Sequence, residues 1–351
     1  MMMRRKTKAI KIGNCVIGAN RPIAIQSMAK TKTADIENTV RQIKDLEAAG
    51  AEIVRVAVKD KLDAQAIKKI KPRINIALVA DCHFHWELAV QAIDNGADKI
   101  RLNPGNIYKA DEVKRVISAL KSAGIPLRVG VNSGSLPGLN SKKMPVSTRL
   151  VSFAMNYIKM VEKMHFYDIV VSLKASNVPD TIEAYRKISK ACDYPLHLGV
   201  TATGLALQGA VKSALALGVL LAEGIGDTIR VSLTDKPQEE VRVAKYILQA
   251  LGLRKFGLEL ISCPTCGRCE VDLVKIVKDL ENKLSKYNLA FTARPKKLAV
   301  MGCVVNGPGE AREADAGVAF GKRDGILFIN GRRIKKVTPF NCIDILLEQV
   351  Q

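Results

Sequence analysis

Two turn-rich segments near the end of the chain present thiols: Cys263-Pro-Thr-Cys266-Gly-Arg-Cys269, and Gly302-Cys303-Val-Val-Asn-Gly-Pro-Gly-Glu310. A Cys-x-x-Cys turn lets two sulfurs converge, and a remote cysteine can close the cage, as in zinc and iron–sulfur sites. Zinc would be satisfied by Cys263, Cys266, Cys303 and either Cys269 or Cys342. A zinc ribbon on a basic protein would suggest nucleic-acid binding. The run Cys-x-x-Cys-x-x-Cys is equally that of bacterial iron–sulfur proteins. A radical-SAM motif has a different spacing and lies early in the chain, and the zinc deaminase motif needs a Pro-Cys-x-x-Cys that is absent.

A second set of reactive residues lies inside or just after short β-branched runs. In chain order these are Arg55, then Asp81 and His83, then Arg101, Asn103 and Asn106, then Arg128 and Asn132. They continue with Ser172, Lys174 and Asn177, with His197, Thr201 and Thr203, and with Arg230 and Ser232. Four arginines and a lysine are costly to bury unless they face an anion, and converging guanidinium forks suit a diphosphate. The competing expectation pairs these arginines with neighbouring acids such as Glu52 and Asp98. Lys174 alone would also serve as a Schiff-base lysine, and His83-Phe-His85 as a metal pair, although most His-x-His pairs are ordinary polar residues.

The elements that must carry these residues alternate. Strands are predicted over 23–26, 53–58, 76–79, 99–102, 127–131, 169–173, 196–200 and 228–233, with amphipathic helices such as 35–49, 86–95, 111–123, 179–191 and 206–221 between them. Several helices end at glycine, as at Gly50, Gly96 and Gly124. Eight strand–helix repeats are the rhythm of a (β/α)8 TIM barrel, whose reactive groups sit at the C-terminal ends of its strands. An open doubly wound sheet is disfavoured because no Gly-x-Gly-x-x-Gly follows the first strand. A boundary is expected near 251–257, giving a barrel domain over 1–256 and a small α+β domain over 257–351. The latter has a helix at 271–284, strands at 297–301, 318–320 and 326–329, and a closing helix at 341–348.

The net charge of +21 is concentrated in the barrel, because from residue 259 onward Lys and Arg number 15 against 11 Asp and Glu. Such an excess favours nucleic acid, a phosphorylated substrate or an acidic partner, or is a solvated surface. No apolar stretch follows the basic start, and the longest one, 204–224, is broken by Gln208 and Lys212. Neither a secretory signal nor a membrane span is expected. Eight cysteines then point to a reducing, cytoplasmic setting, with Cys15, Cys82, Cys192 and Cys342 as packing residues.

Several long stretches together are more specific than composition: Pro22-Ile-Ala-Ile-Gln-Ser-Met28, Ile53-Val-Arg-Val-Ala-Val58, Val79-Ala-Asp-Cys-His-Phe84, Lys99-Ile-Arg-Leu-Asn-Pro-Gly-Asn106, His197-Leu-Gly-Val-Thr201 and the two cysteine segments. On these the chain resembles, over nearly its whole length, the bacterial 4-hydroxy-3-methylbut-2-enyl diphosphate synthase family of the non-mevalonate (MEP) route to isoprenoids and terpenoids. The resemblance implies an iron–sulfur oxidoreductase with a TIM barrel joined to a ferredoxin-like (sulfite-reductase-like) domain. That domain would hold a [4Fe-4S] cluster on Cys263, Cys266, Cys303 and Glu310, with Cys269 left out. The implied reaction opens the ring of 2-C-methyl-D-erythritol 2,4-cyclodiphosphate and removes a hydroxyl as water. Two electrons come from reduced flavodoxin or ferredoxin.

Substrate contacts are expected from Arg55, Arg101, Asn103, Arg128, Asn132, Ser172, Lys174, Asn177, Arg230 and Ser232, and catalytic roles from Glu310, Lys174 and His197. The family implies a head-to-tail homodimer acting on a small molecule, with neither nucleic acid nor membrane as partner. One departure stands out: members commonly carry a glutamate where this chain has Ala202, which leaves proton donation to Thr203, His197, Glu310 or water.

Overall fold

A computed structural model describes residues 3–136, 144–201, 203–284 and 297–349 of the chain. Position 202, where the family's glutamate is replaced, lies outside the described residues. The fold divides into two units, Met1–Arg254 and Lys255–Gln351.

The first unit opens with a hairpin, β1 (Ile10–Ile12) and β2 (Cys15–Ile17), which the sequence reading did not anticipate. Eight strands follow: β3 (Ala24–Met28), β4 (Ile53–Val58), β5 (Ala77–Cys82), β6 (Lys99–Leu102), β7 (Leu127–Asn132), β8 (Ile169–Lys174), β9 (His197–Leu198) and β10 (Thr228–Ile229). They pair in parallel in the order β8-β7-β6-β5-β4-β3-β10-β9, and a bridge between Val171 and Leu196 brings β8 against the entrance to β9. The ring so formed is the TIM barrel.

Around it run α1 (Ile36–Ala49), α2 (Lys61–Ile70), α3 (Trp86–Asp94), α4 (Ala110–Ala123), α5 (Val146–Lys163), α6 (Val178–Ala191), α7 (Ala206–Ala222) and α8 (Pro237–Ala250). Their starts are set by side chains: Asp35 and Asp60 accept the amides of Asn38 and Asp63. Gly50, in the left-handed region at φ 103°, ends α1, a conformation that other residues resist. Ile10, Ile12 and Ile17 of the hairpin are buried with Ala24, Ile53, Ala77 and Val170, so that apolar side chains close the end of the barrel where the strands begin.

The second unit is a five-stranded sheet, β11 (Glu259–Ser262), β12 (Lys297–Met301), β13 (Ala316–Phe320), β14 (Gly325–Ile329) and β15 (Arg332–Val337), paired in that order. The first three strands are parallel and the last two antiparallel to their neighbours. Helices α9 (Leu273–Leu284) and α11 (Cys342–Glu348) cover one face through Leu280, Val318 and Leu346. The short α10 (Gly307–Arg312) lies on the other, against Met301 and Ala319. Strands β11 and β15 and helix α10 had no counterpart in the sequence reading. Each is short or, like β15, mostly charged, and therefore has no hydrophobic period to betray it.

Candidate functional site

Parallel register sets Asp81 of β5 beside Arg101 of β6, and Arg101 beside Arg128 of β7. The same register sets Gly130 beside Ser172, and Asn132 beside Lys174. With Arg55 and Arg230, these residues line a cavity of about 280 Å³, which Met28, His83 and Thr201 also reach. Seven of the ten expected substrate contacts thus meet at one place: Arg55, Arg101, Arg128 and Arg230, together with Asn132, Ser172 and Lys174.

Two carboxylates organise the cage, and neither is the expected Glu52 or Asp98. Arg101 Nη1 donates to Asp81 Oδ1 at 3.0 Å, and Arg55 Nε lies 3.6 Å from Asp81 Oδ2. Arg230 Nη2 lies 3.7 Å from Glu240 Oε2. Glu52 instead pairs with Arg254, and Asp98 with Lys71, at the end where the strands begin. Burial alone would raise the Asp81 carboxyl, but Arg55 and Arg101 hold it well below the usual carboxylate range.

The cations outnumber these partners. Arg128 is 1% exposed, and its Nε and Nη1 meet no hydrogen-bond acceptor among the described residues. Burial, then repulsion from Arg55 and Arg101, drives its guanidinium well below the ordinary value. Burial likewise takes Arg55 down to about 9. Lys174 is depressed by burial first and then by Arg230 and Arg55. A cage of depressed, under-partnered cations is built to receive an anion. Room for it comes from glycines whose role was not foreseen. A Cβ on Gly130 would stand 2.6 Å from Arg101 Nε, and one on Gly199 would stand 2.7 Å from Lys174 Nζ. Glycine inside a strand is the signal that would have found them.

Four expected residues lie outside this cavity. Asn177 is exposed and caps α6 by accepting the Asp180 amide at 2.7 Å. Asn103 is buried and bonded to the Gly105 amide and the Ser135 hydroxyl. Ser232 accepts the Thr203 hydroxyl on its backbone carbonyl, which also commits the Thr203 proton. His197 is fully buried, with Nδ1 2.7 Å from Thr228 Oγ1. Burial and the nearby Arg128 and Lys174 hold its imidazole well below the usual range, in the neutral form. His83 enters the cavity beside Asp81, whereas His85 is exposed ahead of α3, so the two do not act as a pair.

In the second unit Cys263 directly follows β11 and Cys303 follows β12, the adjacent parallel strand, with the Cys263 amide donating to the Val300 carbonyl at 3.2 Å. Cys266 sits exposed in the turn, and Glu310 is exposed in α10. Hydrogen bonds from the Arg268 backbone and side chain lower the Cys266 thiol. The Asn306 and Val305 amides do the same for Cys303, against the effect of its burial. Cys15, Cys82, Cys192 and Cys342 are all shifted the opposite way by burial, as packing cysteines should be. Cys269 packs its sulfur toward Gly302 and donates to the Val271 carbonyl at 3.3 Å. Thiols held toward the thiolate and an exposed carboxylate in the same unit are the donor chemistry of an iron–sulfur site. Among the described residues, no three His, Cys, Asp or Glu side chains converge on a single point.

Two family models match the chain: the GcpE TIM-barrel domain over residues 7–245 and the GcpE protein C-terminal domain over 259–351. The chain belongs to the GcpE family. A protein of Caldanaerobacter subterraneus subsp. tengcongensis named 4-hydroxy-3-methylbut-2-en-1-yl diphosphate synthase (flavodoxin) is 52% identical over 351 residues, covering 99% of this chain and 98% of that relative. One of the same name from Fusobacterium nucleatum is 51% identical, with 99% and 98% covered. Among solved structures, a dihydropteroate synthase from Stenotrophomonas maltophilia matches 70% of the chain and 98% of its own with a TM-score of 0.53. At 15% identity that likeness speaks only to the barrel fold. GcpE membership makes this chain an iron–sulfur enzyme of isoprenoid biosynthesis. No helix among the described residues is long and apolar enough to cross a membrane.

Proposed function

We propose that the barrel cage binds the diphosphate of 2-C-methyl-D-erythritol 2,4-cyclodiphosphate, and that Cys263, Cys266, Cys303 and Glu310 hold a [4Fe-4S] cluster that delivers the electrons opening its ring. The observation that carries this reading is the charge balance of the cavity. Among the described residues Arg55, Arg101, Arg128, Arg230 and Lys174 share only the carboxylates of Asp81 and Glu240, so a polyanion is what completes it. Arg128 and Lys174, lacking a carboxylate partner among the described residues, take the phosphoryl oxygens, while Asp81 fixes Arg55 and Arg101 at the correct spread. Asn132 and Ser172 orient the substrate from neighbouring strands.

Bound to three thiolates and one carboxylate, the cluster would supply electrons and, at the carboxylate-held iron, an exchangeable coordination position. The Cys266 and Cys303 environments favour the thiolates this requires. A proton must reach the departing hydroxyl. Thr203 is committed to the Ser232 carbonyl and His197 lies outside the cavity, which leaves Glu310 and water as donors. Family membership supports a cytoplasmic head-to-tail homodimer fed by reduced flavodoxin. A zinc-ribbon RNA binder is disfavoured because the cavity's cations turn inward and no Phe, Tyr or Trp among the described residues lines it for a base to stack on.

The test is Glu310→Ala. Anaerobically loaded protein should retain most of its iron and its visible absorption, with turnover of the cyclic diphosphate reduced by on the order of a hundredfold. An unchanged rate removes Glu310 from the reaction.

A further inference from the structure

The end of the second unit's sheet that carries the thiols also carries a patch the reaction does not use. Strands β12 and β13 are parallel, with Met301 beside Ala319, so the Cys303 loop and the turn after β13 emerge at the same end. That turn is Gly321-Lys322-Arg323-Asp324, and a Cβ on Gly321 would lie 3.3 Å from Val304 Cγ1, next to Cys303. Strand β15 runs antiparallel to β14 and ends here too, with Lys336 beside Ile326 and Val337 beside Gly325.

The surface so assembled has an apolar centre and a basic rim. Val304 and Val305 are 64% and 59% exposed, and Phe340, three residues beyond Val337, is 94% exposed. Lys322, Arg323, Lys335 and Lys336 are all exposed around them. Their one carboxylate neighbour on these segments is Asp324, 3.9 Å from Lys336. An exposed apolar centre within a charged rim is the anatomy of a transient protein interface, and small interfaces of this kind serve redox encounters.

We propose that this face docks the acidic, flavin-carrying electron donor, with Val304 and Val305 meeting the edge of the donor protein and Lys322, Arg323, Lys335 and Lys336 steering it in. The proposal rests on the functional reading above, because it needs an electron-accepting centre at Cys303. No atoms are exchanged: the reduced flavin gives up electrons, the metal centre takes them, and the oxidised carrier leaves. Charge complementarity selects an acidic protein. Edge cations also discourage sheet-to-sheet pairing and stand at both ends of β15, but Lys322 and Arg323 lie off that edge strand, in the turn beside Val304, where that role does not account for them. Arg332 and Arg333, at the opposite end of β15 beside Ile329 and Phe328, supply the internal control.

The experiment compares two reductants on the cluster-loaded enzyme: reduced flavodoxin and the small molecule methyl viologen. The variant K322E/K335E should raise KM for flavodoxin about tenfold and flatten its salt dependence. It should leave the viologen-driven rate within about twofold. R332E/R333E should shift the flavodoxin KM far less. Val304→Ser, which alters no charge, should raise the same KM at all salt concentrations, which keeps the test open if the double variant folds poorly. Equal loss with both reductants, equal effects at the two ends of β15, or a change in oligomeric state or in RNA binding in place of the KM shift would overturn the proposal. Absence of viologen-driven turnover by the unaltered enzyme would instead defeat the functional reading itself.

Discussion

The barrel carries its charged side chains on strands and buries them, whereas the second unit carries its thiols on turns and a short helix, close to solvent. Arg128 and Lys174 are 1% and 5% exposed, while Cys266 and Glu310 are exposed outright. The two constructions answer to different demands. A polyanion is recognised by geometry, which parallel register supplies without further cost once the strands form. On the proposed reading Glu310 leaves and returns to a metal centre, and an exposed place on a six-residue helix suits a donor that must move.

The contrast can be broken from the barrel side first. Arg128→Met removes the cation with fewest partners, and we expect kcat/KM to fall by on the order of a thousandfold with iron content unchanged. A mild effect in steady-state assays would mean that the cage is structural.

A subtler probe is protonation. Lys174 is held well below its ordinary value by burial and then by the neighbouring Arg230 and Arg55, which makes it the cation of the empty cage that gives up its proton most readily. A bound diphosphate reverses that, and binding should therefore take up protons and weaken as pH rises through the bound-state value. Calorimetry in two buffers of different ionisation enthalpy measures the uptake, and Lys174→Met should abolish most of it. The same sign governs the empty fold: the unfolded chain gains the Lys174 proton before the folded one, so this lysine costs stability as pH falls below the normal lysine range.

The smallest expected effect comes from Gly199→Ala, whose Cβ would stand 2.8 Å from the Arg230 carbonyl and 2.7 Å from Lys174 Nζ. A loss of about 1–3 kcal/mol in urea denaturation, with a raised KM, is the expected result. Its absence would mean that the strand yields more readily than the cage argument allows.

The barrel was legible because its strands are β-branched and its helices punctuated: β4 and β6 fall where the pattern places them. Strand-end position alone then picked out seven residues that line one cavity. What position could not reveal was which way a side chain turns. Asn177 and Asn103 occupy the expected strand ends, yet backbone amides claim them locally, as short polar side chains often allow. Asp81 was visible as a strand-end acid, but its hold on Arg55 and Arg101 depends on register between strands, which one sequence does not display. In the second unit the cysteine spacing was plain, whereas α10, built from Gly307-Pro-Gly-Glu310, reads locally as a turn.

The account stands on an iron–sulfur centre in the second unit, and metal and sulfide analysis of anaerobically purified protein tests it most directly. A brown protein with about four irons and four sulfides per chain is the result expected of a [4Fe-4S] site. A colourless protein holding one zinc and no sulfide would contradict it.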